Sequence, residues 1–216
     1  MKQNLAFQLG VLAALAAGGA QGAELVPLSY TFDRGADCGT WCYPDSTGRE
    51  LIDGVYGRQG WGTDLGNGNA AEWVGWVSDS PVNIDFDFGR PVDVDSVSVG
   101  TTQDNLGDVV IPSVSVYWSN DRIEWNFMQG LLMPESASND RDYMSTAAPH
   151  VFLTLDGLGI SAARYVRVSL IHSLDGPWTF ADEVDFNGAP VPEPGTSALM
   201  LGGLGLVGAL ARRRRG

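Results

Sequence analysis

Apolar residues at every second position are the feature that most restricts how this chain folds. In VNIDFDF, residues 82–88, one face of an extended strand would carry only apolar side chains: Val82, Ile84, Phe86 and Phe88. The pattern continues in VDVDSVSV, residues 92–99, at positions 92, 94, 97 and 99, and its one-residue slip indicates a β-bulge. Between residues 24 and 188 no 3.6-residue helical period persists. The residues therefore predict an all-β domain.

Further strands are predicted at residues 113–119, 150–155, 164–171 and 183–188, with turn signals such as Asp156-Gly157 between them. About eight strands at this spacing indicate an antiparallel β-sandwich. The body that they form, residues 23–189, is long enough for one domain with a substantial core.

The first 22 residues have the layout of a secretory signal peptide. Lys2 precedes an apolar stretch around residues 11–17, and AQG at 20–22 supplies the small residues of a cleavage site. An N-terminal membrane anchor is the alternative, but the apolar stretch is short for a membrane span. We therefore expect export, with a mature chain that starts near Ala23.

The other end of the chain carries an uncharged apolar run over residues 196–211, followed by arginines at 212–215. This run is shorter than the roughly 20 residues of a typical membrane helix. A buried core helix is the alternative, but adjacent cations need water or anionic headgroups. Because cytoplasmic flanks are rich in Lys and Arg, we expect a short C-terminal hydrophobic helix that holds the exported body in the membrane from outside.

Pro192, Glu193 and Pro194 lie just before that run. Together with the apolar run and the arginine block, they resemble the PEP-CTERM sorting signal of Gram-negative bacteria, over residues 190–216. The resemblance implies transient anchoring in the inner membrane, cleavage by an exosortase-type protease, and a final place at the cell surface or in the extracellular matrix. The two prolines suit a cleavage segment, because they lack N–H groups and keep the backbone extended.

The body is strongly acidic. Residues 23–189 contain 25 Asp and Glu residues, 8 arginines and no lysine, which gives a net charge of −17. Such a surface repels nucleic acid and anionic headgroups, so no nucleic-acid partner is expected. It suits divalent cations, although solubility alone is the simpler interpretation.

Cys38 and Cys42 are the only cysteines. Because an exported protein meets an oxidising environment, we expect them to form one local disulfide. Free thiols and a metal site are the alternatives. A zinc site would need two further ligands, and nothing ties either histidine to these cysteines.

Five segments of the body, in their order along the chain, resemble the discoidin family, also called the coagulation-factor type C domain. They are LIDGVYG at 51–57, the stretch from EWVGW to VSVGT at 72–101, IPSVSVYWSNDRIEW at 111–125, ARYVRVSLI at 163–171 and FADEVDFNG at 180–188. The family shows an Asp-Gly turn, a strand ending in Asp-Phe-Gly, an Arg-Tyr-hydrophobic-Arg strand and a closing strand that contains Glu. The resemblance implies a galactose-binding-like jelly roll.

No catalytic residues are expected. His150 and His172 are the only imidazoles, and neither lies near a serine of the Gly-x-Ser-x-Gly type. Asp85 and Asp87 could form a glycosidase pair, but both fall on the polar face of a strand, where a solvated surface is the simpler interpretation. The chain has no phosphate-binding loop and no dinucleotide fingerprint. The sequence therefore favours a binding protein over an enzyme.

Tryptophans are the best candidates for ligand contacts. Alternation places Trp73 or Trp76, and Trp118, in the core. Trp61 lies in a glycine-rich loop and Trp178 follows a Gly-Pro turn, so no strand is predicted to bury either. Because sugar sites combine aromatic faces with hydrogen-bonding groups, we predict that both contact a ligand. The alternative is that they pack back onto the sheet.

Arg58 and His172 are predicted to flank these two tryptophans. In the resembled family, loops at one end of the sandwich bind sugars or lipid headgroups. The resemblance therefore implies a binding module for an extracellular polysaccharide. The main alternative is a structural or adhesive matrix protein that binds no sugar specifically.

The resemblance also implies a structural calcium ion between the Asp-Gly loop and the last strand. Asp53 and Glu183 occupy the matching positions, and Asp182 is adjacent. Calcium prefers carboxylate and carbonyl oxygens, which these residues supply. The alternative is that Asp53 only forms a turn and Glu183 is solvated.

Overall fold

The computed structural model describes residues 22–34, 43–57, 61, 73–103, 109–133, 151–172, 176–192, 203 and 213. Eight strands lie in these ranges: β1 (Ala23–Glu24), β2 (Ser29–Phe32), β3 (Val74–Val77), β4 (Val82–Thr101), β5 (Ser113–Ser119), β6 (Asn126–Leu131), β7 (Val151–Ile171) and β8 (Trp178–Pro190). Several predictions lie outside the described residues: the signal peptide as far as residue 21, the Cys38–Cys42 disulfide, Arg58, Glu193 and Pro194, and the C-terminal helix except Gly203. Within the described part of the chain, no helix has the length and apolar character needed to span a membrane.

Two long antiparallel strands, β4 and β7, run through both sheets of a β-sandwich. In the first sheet, residues 82–87 of β4 pair with 165–170 of β7; β2 extends this pair on one side, and β5 and β6 on the other. In the second sheet, the other halves of β4 and β7 continue into β8, whose far edge pairs with β1 and β3. The predicted antiparallel β-sandwich is confirmed.

Local backbone features let β4 pass from one sheet to the other. The strand bends at Gly89, whose φ of +70° is a conformation that residues with a Cβ rarely adopt. The pairing of β4 with both β7 and β8 shifts register between Val94 and Ser96. The one-residue slip predicted in this strand is therefore a β-bulge.

Alternation along the strands fills one main core between the two sheets. All the apolar residues of the 82–88 pattern are at most 5% exposed: Val82, Ile84, Phe86 and Phe88. Val97 and Val99, which follow the bulge, are fully buried in the same core. Trp76 belongs to this core and Trp118 packs against it while half-buried. The periodic pattern thus predicted both the strands and the direction in which they face.

The outer face of the first sheet is charged, but its charges are paired. Arg167 donates to the two oxygens of Asp85 at 2.6 and 3.0 Å, and Arg164 donates to those of Asp87 at 3.0 and 3.1 Å. Asp85 and Asp87 thus lie on an outer face as expected, and the structure adds that arginines pair with both of them. The register of β4 and β7 sets Arg167 directly opposite Asp85, which sequence alternation alone does not show.

Candidate functional site

A second, smaller hydrophobic cluster lies at the end of the sandwich where β8 begins. Its fully buried members come from four parts of the chain: Tyr43, Trp73, Val109 and Phe180. Trp61 and Trp178 pack against them and are half-buried. We call these six residues the aromatic cluster.

Trp178 lies in a strand, not in a loop. It is the first residue of β8 and pairs with Val77 of β3. The expectation that no strand would bury Trp178 is wrong, because the turn ends at Pro177. The backbone carbonyl of Pro177 already accepts the N–H of Ser78 at 2.7 Å, so the β3–β8 ladder starts at once.

The rings of Trp61 and Trp178 both lie nearly parallel to the ring of Phe180. Their centroids are 5.6 and 5.4 Å from that of Phe180, and each interplanar angle is 21°. Tyr43 meets Phe180 edge-on at 4.7 Å and makes edge contacts with both tryptophans. Aromatic pairs favour these stacked and edge-to-face arrangements. The fold thus brings together two tryptophans that are far apart in sequence.

Tyr43 and Phe180 organise this cluster, and sequence patterns did not single them out. Phe180 lies two residues after Trp178, so strand alternation would have placed both on one face. Tyr43 carries no periodic signal; its hydroxyl donates to the carbonyl of Trp61 at 3.3 Å. Of the two predicted flanking residues, His172 is half-buried directly after β7, and Arg58 lies outside the described residues.

Further along β8, Asp182 and Glu183 form a bulge. Residues 181–184 of β8 pair with residues 99–101 of β4, so both acidic residues lie opposite Gly100. A side chain on Gly100 would collide with the carboxylate of Asp182. The bulge therefore depends on a glycine in the neighbouring strand.

Both carboxylates of the bulge hold the loop that contains the Asp-Gly turn. Glu183 accepts the backbone N–H of Gly54 at 3.0 Å, and Asp182 accepts that of Gly57 at 2.7 Å. The two side chains are almost completely buried: residue exposure is 3% for Glu183 and 0% for Asp182. Hydrogen bonds thus connect an early loop to the last strand.

Burial and neighbouring charges act on Glu183 in the same direction. Burial has the largest effect and raises the pKa of its carboxyl, while the N–H of Gly54 lowers it. The charges of Asp185, Asp53 and Asp182 raise it further, and the resulting pKa is about 8. The bulge is therefore a region of poorly compensated negative charge.

The donor chemistry of this region suits a hard cation such as calcium. A cavity of about 20 Å³ lies beside Glu183 and is also lined by Glu24, Gly54 and Asp185. Asp53, however, is exposed and accepts the N–H of Val55 within its own turn at 2.9 Å. Across the described ranges, no three or more His, Cys, Asp or Glu side chains are grouped so as to hold a metal ion. The residues match calcium in chemistry, but their placement does not form a complete set of side-chain ligands.

The F5/8 type C domain family model matches residues 44–184, and the chain belongs to this family. The match includes the Asp-Gly loop, both sheets and the acidic bulge. A model of the PEP-CTERM protein-sorting motif matches residues 190–215. These matches agree with the two resemblances drawn from the sequence. No curated protein matches the chain.

Solved structures similar to this chain include three with carbohydrate-binding domains. Truncated AlyQ with CBM32 and alginate lyase domains is 16% identical with a TM-score of 0.49; the match covers 80% of this chain and 35% of that one. The CBM32 of AlyQ in complex with 4,5-unsaturated mannuronic acid is 14% identical, with coverages of 76% and 97% and a TM-score of 0.46. The family 32 CBM of C. perfringens NanJ in complex with galactose is 12% identical, with coverages of 77% and 98% and a TM-score of 0.48.

Proposed function

We propose that the mature protein is an exported, non-enzymatic module that binds an extracellular polysaccharide. The observation that supports this most directly is that Trp61 and Trp178 both stack on Phe180 at one end of an F5/8 type C sandwich. Loops at one end of this fold bind sugars or lipid headgroups in the family. Each half-buried indole presents an apolar face, on which a sugar ring can stack.

A structural or adhesive role without specific sugar binding is the second candidate. One observation favours it: both tryptophans stack on Phe180, so part of their apolar surface is already used inside the protein. Only a sugar-binding module needs the accessible parts of these two rings. Removing one ring therefore distinguishes the two roles.

A glycan array probed with the secreted, processed protein tests this proposal. We expect retention of one class of polysaccharide, and Trp178→Ala should weaken it about tenfold, the loss of one good aromatic contact. Phe127→Ala is the matched control, because Phe127 is 61% exposed on β6 and lies outside the aromatic cluster. If the parent protein retains no glycan, the structural role is the better account; if it binds and Trp178→Ala binds as well as Phe127→Ala, the sugar site does not lie at Trp178.

The PEP-CTERM motif marks an exported protein that is processed at the membrane. We propose that an exosortase-type protease cuts within residues 191–195, after transient anchoring in the inner membrane of a Gram-negative bacterium. The product would then remain at the cell surface or in the matrix. Intact-mass measurement of the native product should show a chain that ends before the arginine block. A mature protein that retains residues 212–215 would rule out this processing.

We also propose a structural calcium ion beside Asp182 and Glu183, with Asp53 and backbone carbonyl oxygens supplying further ligands once calcium replaces the contact between Asp53 and the N–H of Val55. Support comes from the buried, poorly compensated carboxylates and the small cavity beside Glu183. Calcium should raise the melting temperature, since a ligand at a hundred times its Kd stabilises the folded state by about 2.7 kcal/mol. Glu183→Gln should remove most of this response.

Magnesium at equal concentration is the control for general screening of the acidic surface. It is smaller and requires stricter octahedral geometry, so it should stabilise the protein less. Equal shifts with the two ions, or a calcium response that Glu183→Gln retains, would contradict a specific site.

A further inference from the structure

The sorting segment begins directly where the sandwich ends. Pro190, the last residue of β8, pairs with Val92 of β4, and the N–H of Val191 still donates to the carbonyl of Pro91 at 3.3 Å. Residues 192–195 alone separate Val191 from the apolar run. Because an extended chain advances by roughly 3.5 Å per residue, this part of the sandwich stays within roughly 18 Å of the start of the run. An anchored tail therefore fixes which part of the domain is nearest to the membrane.

Two apolar side chains are exposed at this part of the sandwich. Val26 is 56% exposed and Leu28 is 67% exposed, and both line a groove of about 290 Å³. Leu28 is also firmly held: its N–H donates to the carbonyl of Asp87 at 2.8 Å, and its side chain packs against Gly89. A rigidly presented leucine gives an apolar contact at little cost in conformational entropy.

Two exposed arginines lie beside these side chains. Arg90 lines the same groove and precedes Pro91, and Arg49 donates to the carbonyl of Leu28 at 3.5 Å. Glu24 is the acidic side chain among the residues lining the groove. The patch therefore combines apolar and basic groups on an otherwise acidic body. We call Val26, Leu28, Arg49 and Arg90 the exit corner.

We propose that the exit corner lies against the lipid headgroups while the tail is anchored in the membrane. Surfaces that bind at the membrane interface combine apolar side chains with Arg or Lys, which attract anionic headgroups. Here the arginines contact lipid phosphates and Leu28 reaches the boundary of the acyl chains. This inference rests on the proposed transient anchoring.

Contact of the exit corner with the membrane would also determine how the proposed sugar site is oriented relative to the bilayer. Trp178 is the first residue of β8 and Pro190 is the last, so the aromatic cluster and the exit corner lie at opposite ends of one strand. At about 3.3 Å per residue, the two ends of this strand lie at most roughly 40 Å apart. The aromatic cluster therefore faces away from the bilayer, where an extracellular polysaccharide can reach it before the tail is cut.

Photo-crosslinking of the full chain in liposomes of phosphatidylethanolamine and phosphatidylglycerol tests the proposal. A photoreactive residue replaces Leu28 in one sample and Leu132 in the other; Leu132 is 84% exposed and follows β6, whose Leu131 pairs with Val114 near the opposite end of the sandwich. We expect at least fivefold more lipid adducts at position 28. Carbonate extraction of the same liposomes reports whether the chain is anchored.

The results of these two measurements test the anchoring of the tail and the lipid contact of the exit corner separately. A chain that carbonate removes would overturn both the anchoring and the corner. An anchored chain with equal lipid adducts at positions 28 and 132 would overturn only the proposal that the exit corner contacts lipid. Adducts between position 28 and a second copy of the chain, instead of lipid, would overturn it as well.

The role of the arginines has its own test in the same liposomes. Arg49→Gln combined with Arg90→Gln should lower the lipid adducts at position 28 about threefold, whereas Arg34→Gln, at an exposed arginine paired with Asp79, should leave them unchanged. Unchanged adducts in the double variant would show that the arginines do not hold the corner to the headgroups. A melting curve of each variant checks that the fold is retained.

Discussion

Two regions of the sandwich hold acidic side chains in opposite ways. On the outer face of the first sheet, Asp87 accepts two hydrogen bonds from Arg164. Burial acts to raise the pKa of Asp87, but Arg164 and the N–H of Gly89 together hold it below its ordinary value. In the β8 bulge, burial has the largest effect on Glu183 and, together with the neighbouring acids, raises its pKa to about 8 although it accepts one backbone N–H.

The difference shows that strand register, not residue type, decides whether a carboxylate is compensated. β7 places an arginine opposite Asp85, whereas β4 places Gly100 opposite the bulge. On the outer face, arginines therefore already compensate the negative charges of the aspartates. An ionised Glu183 would be uncompensated in the bulge, which favours a bound proton or cation there. Three predictions test this contrast, from the largest expected effect to the smallest.

The first prediction concerns pH. The pKa of Glu183 is about 8 in the folded protein against an ordinary value of 4.5. Between these values the folded state binds a proton that the unfolded state has lost, so stability falls as pH rises through this window. For metal-free protein we expect a loss of roughly 3 kcal/mol between pH 5 and pH 8, measured by denaturant unfolding at each pH.

Glu183→Gln is the matched control, since it keeps the shape and cannot ionise. Its stability should vary much less over the same window, and the difference between the two curves isolates the contribution of Glu183. Parallel curves for parent and variant would contradict a raised pKa at Glu183. Added calcium should also flatten the parent curve, because a bound cation favours the ionised carboxylate.

The second prediction concerns the glycine opposite the bulge. Gly100→Ala places a methyl group where the carboxylate of Asp182 lies, so it should lower the free energy of unfolding by about 2 kcal/mol. Ser98→Ala, two residues earlier on β4 and opposite Thr154, should change it much less. Equal effects at positions 98 and 100 would show that the bulge does not need the glycine.

The third prediction applies one substitution to both regions. Asp85→Asn removes the charge that pairs with Arg167 and should destabilise the protein by about 1 kcal/mol. Asp182→Asn keeps an oxygen for the N–H of Gly57 but removes a charge near Glu183, so it should be neutral or stabilising in metal-free protein. Chemical denaturation of the two variants measures both effects. A loss of stability at both positions would show that the acids of the bulge are compensated as well as those of the outer face.

Strand patterns predicted most of the framework. Alternation in VNIDFDF and VDVDSVSV located β4, its buried face and its bulge, because a strand buried on one face requires apolar residues at a period of two. The ligand contacts of the predicted site residues stay a prediction, and the structure shows only which of these residues lie together. Trp61 and Trp178 meet in the aromatic cluster, but Tyr43 and Phe180 hold them there, and no local pattern around Tyr43 reveals contacts that form across loops.

The sequence by itself determined the class of fold, the sorting motif at the C-terminal end, and the acidic character of the body. These depend on local order along the chain: period, composition and short motifs. Only the tertiary structure decided which acids face arginines, which tryptophans share a cluster, and that the sorting segment leaves opposite that cluster. Such relations arise from register between strands distant in sequence, where a shift of one residue exchanges every neighbour on a face.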